Sequence, residues 1–296
     1  MLIERCTYKE FEISLKTLAL EGKLQRSNQV VDLEIIKKAM NNKCCLLSIM
    51  QGSVVLMVPE FSFYNLYLFF YDLESLRSNL QFIKNHCSTS LSCNFLKISL
   101  CGKELVEQEP LFSMISAEGF LVRKKIARFI PNRDKKLINR EFLNSLVPEQ
   151  YRNVEYAVES DAEEILDLLR TEFDDIGDSI PEIEEIRENI RKQQVVCVKY
   201  NGMIISFHYF KIVNNIYFGL FDYARPEFRK NFVFCAIQFF CEQDEFLNKH
   251  KFKRLYGWRD VLNKRTTSFA IKNGDIRDGV FVWNMACSVL LKYRGR

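Results

Sequence analysis

Two stretches of this chain recur at one fixed spacing, and that spacing limits what it can fold into. "QGSVVLMV" from Gln51 and "NGMIISFHYF" from Asn201 each set a turn glycine between strand-like runs, and Gly52 and Gly202 stand 150 residues apart. "NLYLFFYD" (Asn65 to Asp72) and "NIYFGLFD" (Asn215 to Asp222) match at the same offset. A looser echo pairs "SMISAEG" from Ser113 with "SFAIKNG" from Ser268 at an offset of 155, as a loop insertion produces. The chain therefore reads as a tandem duplication of one domain, with a period far too long for a solenoid. Its 296 residues suit two domains.

Composition narrows the class. With 48% hydrophobic and 27% charged residues the chain can bury a sizeable core. No apolar run approaches the roughly 18 residues of a membrane span, and "MLIERCTYKEFE" lacks a signal-peptide core, so a cytoplasmic protein with no membrane partner is expected. The ten cysteines form no C-x-x-C pair and read as reduced core thiols. A net charge of +4 is too weak to argue for nucleic acid. Three scattered histidines without ligand spacing suggest no metal site, and no G-x-G-x-x-G or P-loop occurs.

The second copy is the easier to read. "NVEYAV" is strand-like, and Ser160 to Glu163 ("SDAE") has the form of a capping box ahead of a helical stripe at Ile165, Leu168, Leu169 and Phe173. Pro181 opens a second helix, with Ile183, Ile186 and Ile190 on one face. Asn201-Gly202 and Asn214-Asn215 predict tight hairpins between three strands. "FVFCAIQFFCEQDEFL" reads as a helix, "FKRLYGW" as a strand, "NKRTTSFAIKNG" as a helix from an Asn263 cap to a Gly274 stop, and "VFVWNMA" as a last strand. The predicted order is β-α-α-β-β-β-α-β-α-β, with the basic turn "YARPEFRKNF" between the fourth strand and the third helix.

This order, with that turn, resembles the GNAT superfamily of acyl-CoA-dependent N-acyltransferases. The resemblance covers residues 153–291 best and 1–130 more faintly. It implies an α/β (α+β) fold of two tandem domains, each a mixed, mostly antiparallel sheet flanked by helices. In that family a turn of pattern [RQ]-x-x-G-x-[GA] presents backbone amides at a helix N-terminus to the pyrophosphate of coenzyme A, as the helix dipole favours. "PEFRKNFVF" places Arg229 at the leading position but Phe232 and Phe234 where the family prefers small residues. "NKRTTSFAIKNGD" matches the family's N-x-x-A-x-x-[LF]-Y-x-K-x-G-F at Asn263, Phe269, Lys272 and Gly274, with Ala270 at the tyrosine and Asp275 at the final Phe.

The first copy has no basic turn: after Asp72, a plausible cap, it runs straight into a helix. The expected domains are thus 1–130, without a cofactor turn, a linker over 131–152 with apolar spacing at Leu137, Phe142 and Leu146, and an acyltransferase domain over 153–296. The resemblance implies acetyl-CoA or another acyl-CoA as donor and a primary amine of a small molecule, amino sugar or peptide as acceptor, in a monomer or homodimer. It implies cofactor contacts from Phe221, Tyr223, Ala224, Arg225, Arg229, Lys230, Asn231, Phe232, Val233, Phe234 and Asn263. Asp222 is the candidate base, Tyr256 or Ser268 the candidate acid, and His208 a satisfied sheet histidine. Thirteen acids and two arginines between Glu159 and Glu188 suggest a field for a cationic amine, or merely exposed helix faces. Two alternatives stay open: a transferase using aminoacyl-tRNA or an acyl carrier protein as donor, and a binding module that keeps the fold without the chemistry.

Overall fold

The computed structural model describes residues 1–26, 33–60, 62–90, 93–131, 139–272 and 274–289. Residues 132–138 of the expected linker, Leu137 among them, and Asn273 of the quoted "NKRTTSFAIKNGD" lie outside the described residues.

The first half of the chain runs β1 (Leu2–Ile3), α1 (Tyr8–Glu21), a short β2 (Gln25–Arg26), α2 (Leu33–Asn42), β3 (Leu46–Met50), β4 (Ser53–Pro59), β5 (Phe63–Phe70), α3 (Leu73–Ser90), β6 (Phe95–Lys103), α4 (Pro110–Ala117) and β7 (Leu121–Ile130). The second half runs α5 (Arg140–Ser145), β8 (Val154–Tyr156), α6 (Ala162–Glu172), α7 (Ile183–Arg191), β9 (Val195–Tyr200), β10 (Met203–Val213), β11 (Ile216–Ala224), α8 (Val233–Gln243), α9 (Glu245–Lys249), β12 (Arg254–Asp260), α10 (Lys264–Lys272) and β13 (Ile276–Ser288). Leaving out β2, α5 and α9, both halves follow the order β-α-α-β-β-β-α-β-α-β. Among the described residues no helix is long and apolar enough to cross a membrane.

Several local signals act as the sequence predicts. Asn201 and Gly202 (φ 50° and 78°) turn β9 into β10, and Asn214 and Asn215 (φ 52° and 61°) turn β10 into β11, both in the left-handed conformation a two-residue hairpin needs. Asn263 Oδ1 accepts from the Thr266 amide at the start of α10, and Gly274, at φ 87°, stops it. At α6 the expected cap moves by one residue. Asp161, not Ser160, accepts from the Val158 amide at 2.8 Å while pairing with Lys199, so the chain enters through a 3₁₀ turn over Glu159–Asp161. The last apolar helix is also split, because Asp244 caps α9 through the Leu247 amide.

The compact units are not the contiguous stretches 1–130 and 153–296. One comprises Met1–Lys125, Asp174–Ser179 and Val280–Arg296; the other comprises Ile126–Phe173 and Ile180–Gly279. The physical reason is strand pairing. In the first unit the sheet order is β1-β3-β4-β5-β6-β13, and β13 pairs antiparallel with β6 over nine residues, from Val280↔Lys103 to Ser288↔Phe95. In the second the order is β8-β9-β10-β11-β12-β7, with β7 entering through Ile126↔Asp260 to Phe129↔Gly257. Each sheet thus closes with a strand from the other half of the chain. Within these two orders, among the described residues, β5–β6 and β11–β12 pair in parallel.

Side chains fix these strands. In the first unit Trp283 is fully buried, donates its indole N–H to Glu107 at 2.5 Å, and packs under the Lys125 ammonium, which pairs with Glu107 at 2.9 Å. In the second unit Arg128 forks onto Asp278 (2.7 and 2.5 Å) and covers the Tyr256 ring at 4.5 Å. The first core gathers Phe11, Ile36, Leu47, Leu56 and Phe69 between helices and sheet. The second unit has one core under α6 and α7 (Ile165, Leu169, Ile186, Phe207, Tyr209) and another under α8 (Val196, Phe210, Val233, Ile237). Truncating Trp283 to Ala deletes the largest fully buried side chain among the described residues, while Glu107 keeps Lys125 as a partner; urea unfolding of the full chain is expected to show a loss of about 3–5 kcal/mol.

Candidate functional site

The second unit opens where β12 leaves β11. The two strands pair only from Ile216↔Arg254 to Gly219↔Gly257, after which β12 turns to β7. At the same place the β10–β11 ladder shifts register between Tyr209 and Phe210, so Leu220 is an extra residue without a pairing partner. A bulge of this kind bends the strand and re-aims its side chains. Past it, Phe221 and Tyr223 enter the core under α6 and α7, while Asp222 turns toward His208.

Asp222 anchors a chain of polar groups. Its Oδ1 accepts from His208 Nδ1 at 2.6 Å, and His208 Nε2 meets the Tyr217 hydroxyl. Oδ2 faces Arg259, 3.5 Å away on β12, whose other nitrogen lies 3.7 Å from Asp275. Arg259 Nε is buried without an acceptor among the described residues. Burial pushes the Asp222 carboxyl up, yet the neighbouring His208 and Arg259 prevail and hold it below the usual carboxylate range. Burial drives Tyr217 well above the ordinary phenol value, so it keeps its proton and donates to His208. Asp222 is therefore a paired anion, a weak proton acceptor near neutrality, and His208 is satisfied at both nitrogens.

The basic turn lies immediately beyond. Pro226–Asn231 form a 3₁₀ turn and α8 starts at Val233. Between them Phe232, half exposed, adopts φ 55° and ψ 24°, the left-handed conformation that glycine takes without strain. The backbone thus keeps a glycine-like geometry at the position where the sequence has phenylalanine. Phe232 offers no side-chain acceptor to cap α8; the Cys235 amide turns back to the Phe232 carbonyl at 2.7 Å, which leaves the Val233 and Phe234 amides without a side-chain cap. Phe234 packs sideways against the core under α8 and against His208. Lys230 and Asn231 lie on the outer face of the turn.

Both arginines of the turn are already paired within the protein. Arg225 donates to the Ile204 carbonyl at 2.7 Å and to Glu164 at 2.9 Å, and Arg229 donates to the Ala224 carbonyl at 2.8 Å and pairs with Glu172. Both guanidinium groups tie the turn to α6, against the expectation that they meet an anion. Tyr256 and Ser268 are not gathered with Asp222 either. Tyr256 is buried on the other face of β12, accepting from Arg254 at 3.1 Å, and Ser268 is exposed on α10. Asn263 serves as the α10 cap. The acidic stretch is largely neutralised as well: Glu163 and Glu184 pair with Arg187, Glu185 with Lys211, Asp161 with Lys199, and Glu164 and Glu172 with the turn arginines. Sequence reasoning missed Arg259; a charged residue inside the strand "YGWRD", two positions from Gly257, was the available signal.

The corresponding place in the first unit is closed. Asp72 lies one residue before α3 and its carboxylate accepts from the Ser75 amide at 2.8 Å, occupying the N-terminus of that helix. The β4–β5 ladder runs without a register shift. β5 pairs with β6 only as far as Leu66↔Ile98, and beyond that β2 fills the vacated edge through Gln25↔Phe70 and Arg26↔Phe69.

No family model matches the chain, and no curated protein matches it by sequence. Solved structures do resemble it. A GCN5-related N-acetyltransferase from Sphaerobacter thermophilus aligns over 98% of this chain and 96% of its own at 9% identity, with a TM-score of 0.59. A tandem GNAT protein from the clavulanic acid biosynthesis pathway aligns over 98% of each chain at 8% identity, TM-score 0.56. A probable N-acyltransferase from Enterococcus faecalis covers 99% of this chain and 73% of its own at 10% identity, TM-score 0.58. The chain has the GNAT fold.

Two outcomes check this geometry. Phe232→Gly is expected to unfold no more easily than wild type, whereas Phe232→Val, β-branched at positive φ, is expected to lose roughly 1–2 kcal/mol in urea titration. Because the Asp222 pKa is lowered on folding, its stabilisation is present above the unfolded carboxylate value and is lost as pH falls through the folded value. Asp222→Asn should therefore be less stable than wild type at pH 7, with the gap shrinking below about pH 4.

Proposed function

We propose that the second unit is an N-acyltransferase that takes its acyl group from coenzyme A and passes it to a primary amine. The observation that supports this reading most is the contrast between two helix N-termini. That of α3 is occupied by Asp72, while that of α8 is uncapped, follows a left-handed residue and adjoins the opening between β11 and β12. Uncapped amides at the positive end of a helix favour an anion such as a pyrophosphate.

In this reading the backbone amides of Val233 and Phe234 hold the pyrophosphate, with the exposed Lys230 beside them. Arg225 and Arg229 keep the turn in shape through Glu164 and Glu172. The thioester lies between β11 and β12 alongside the unpaired backbone of Leu220. The amine attacks the thioester carbonyl directly while strand donors stabilise the developing oxyanion; its proton passes to solvent or to a group of the acceptor site, the carbon–sulfur bond breaks, and coenzyme A leaves as the thiol after taking up a proton from solvent. Asp222 positions His208 and Arg259 and takes no proton itself.

The test copies the first unit's closure into the second. Acetyl-CoA titrated calorimetrically into wild type is expected to bind with a Kd on the order of 10 μM, and Phe232→Asp, which sets a carboxylate at the α8 terminus, is expected to weaken it at least about tenfold. Binding by wild type justifies an amine screen with thiol release as the readout. Absence of binding up to millimolar coenzyme A would overturn the proposal and leave the carrier-dependent and non-catalytic readings.

A further inference from the structure

The first unit holds a second constellation that the acyltransferase reading does not use. Lys97, on β6, is 1% exposed, donates from Nζ to Ser179 Oγ, and lies 5.3 Å from the centre of the Phe63 ring. Ser179 itself is exposed and closes the π-helical turn Asp175–Ser179, which belongs to this unit although it is distant from β6 in sequence. It sits at φ 56°, in the left-handed region, where a residue with a Cβ is strained.

The surroundings hold that strain in place. The Gly177 carbonyl accepts from Asn284 Nδ2 at 2.6 Å, Asp178 pairs with Lys124 at 2.5 Å and accepts from the Asp174 amide at 3.0 Å, and Asp174 meets Arg123 at 3.3 Å. Strain kept by its neighbours at an exposed nucleophile beside a buried amine is the pattern of an activated side chain rather than of a packing residue.

Those same contacts decide the state of the lysine. The carboxylates that would hold Lys97 as an ammonium are Asp178, Glu60 and Asp174, and each is already matched by a cation: Lys124, Lys43 (2.7 Å) and Arg123. Burial therefore outweighs them and lowers Lys97 to about 8, so that a useful fraction is neutral amine near neutral pH.

We propose that Ser179 and Lys97 form a serine–lysine dyad, in which Lys97 is the general base and Ser179 Oγ the nucleophile toward activated acyl esters and thioesters. In the first step the neutral Lys97 amine takes the hydroxyl proton as Oγ bonds to the acyl carbon. The bond to the alcohol or thiol breaks, and the leaving group takes its proton from the Lys97 ammonium. In the second step Lys97 accepts a proton from water, the hydroxide adds to the acyl-serine, and the carboxylic acid departs as the proton returns to Oγ. No oxidant, metal or cofactor is needed. Neither residue belongs to the second unit, so the dyad stands or falls apart from coenzyme A binding.

The full-length protein treated with an alkyl fluorophosphonate between pH 6 and 10 tests the dyad, with the adduct located by tandem mass spectrometry. One adduct on Ser179 is expected, forming faster as pH rises through a midpoint near 8, absent in Ser179→Ala and slowed at least about a hundredfold in Lys97→Met. The wild-type pH profile reads the base without any variant, so a misfolded Lys97→Met does not blunt the test. Labelling elsewhere, no labelling at pH 9 in excess reagent, or a rate at Ser179 that does not change between pH 7 and 9 would overturn the dyad.

Discussion

The nine-residue ladder between β13 and β6 is the interaction on which the first unit depends. It carries Trp283 into the core, brings Asn284 to the carbonyl of Gly177 and so seats the Asp175–Ser179 turn, and places Phe281 and Trp283 under the Lys125 ammonium. Removing this strand would expose the edge of β6 along its whole length and the apolar contacts made by Phe281, Trp283 and Met285. The second unit makes the matching use of Ile126–Ile130, pinned by the Arg128 fork onto Asp278. Ionic and aromatic contacts thus help to seat the strands that come from far along the chain, where local propensity gives no help.

The two halves of the chain close one junction and leave the corresponding one open. Asp72 and Asp222 occupy the same place in the repeat. In the first unit the helix begins at once and the aspartate becomes its cap, which puts a negative charge where an anion would bind. In the second, the turn through Arg225 to Phe232 separates aspartate from helix, and the carboxylate is redirected to His208 and Arg259. The same residue type thus seals one dipole and, displaced by a few residues, leaves the other unsealed. The bulge at Leu220 and the plug made by β2 extend this difference to the sheets.

Much of this was legible in the sequence, and the exceptions share a cause. The hairpins at Asn201-Gly202 and Asn214-Asn215, the Asn263 cap and the Gly274 stop depend on residues within a few positions of one another, and they form as local chemistry dictates. The fates of Arg225 and Arg229 depend on Glu164 and Glu172, some sixty residues away on α6, and no spacing rule announces such a pairing. The destination of β13 is of the same kind: its alternation identifies a strand but carries no address for its partner. At Phe232 the side chain suggested that a glycine-like turn was lost, yet the backbone adopts it, because the Arg229 and Arg225 contacts hold the loop whatever the residue's own preference. Lys97 and Ser179 are individually ordinary in sequence and acquire their chemistry only by meeting.

The exchanged strands also bear on how such a chain can change over time. A duplicated domain normally leaves two spare parts, either of which can be trimmed, lost or moved to another gene. Here each half keeps a strand that the other's sheet requires, so a deletion that removes one copy also unravels the survivor. The two halves are thus bound to be inherited together, since each unit's sheet is completed by a strand encoded in the other half of the chain.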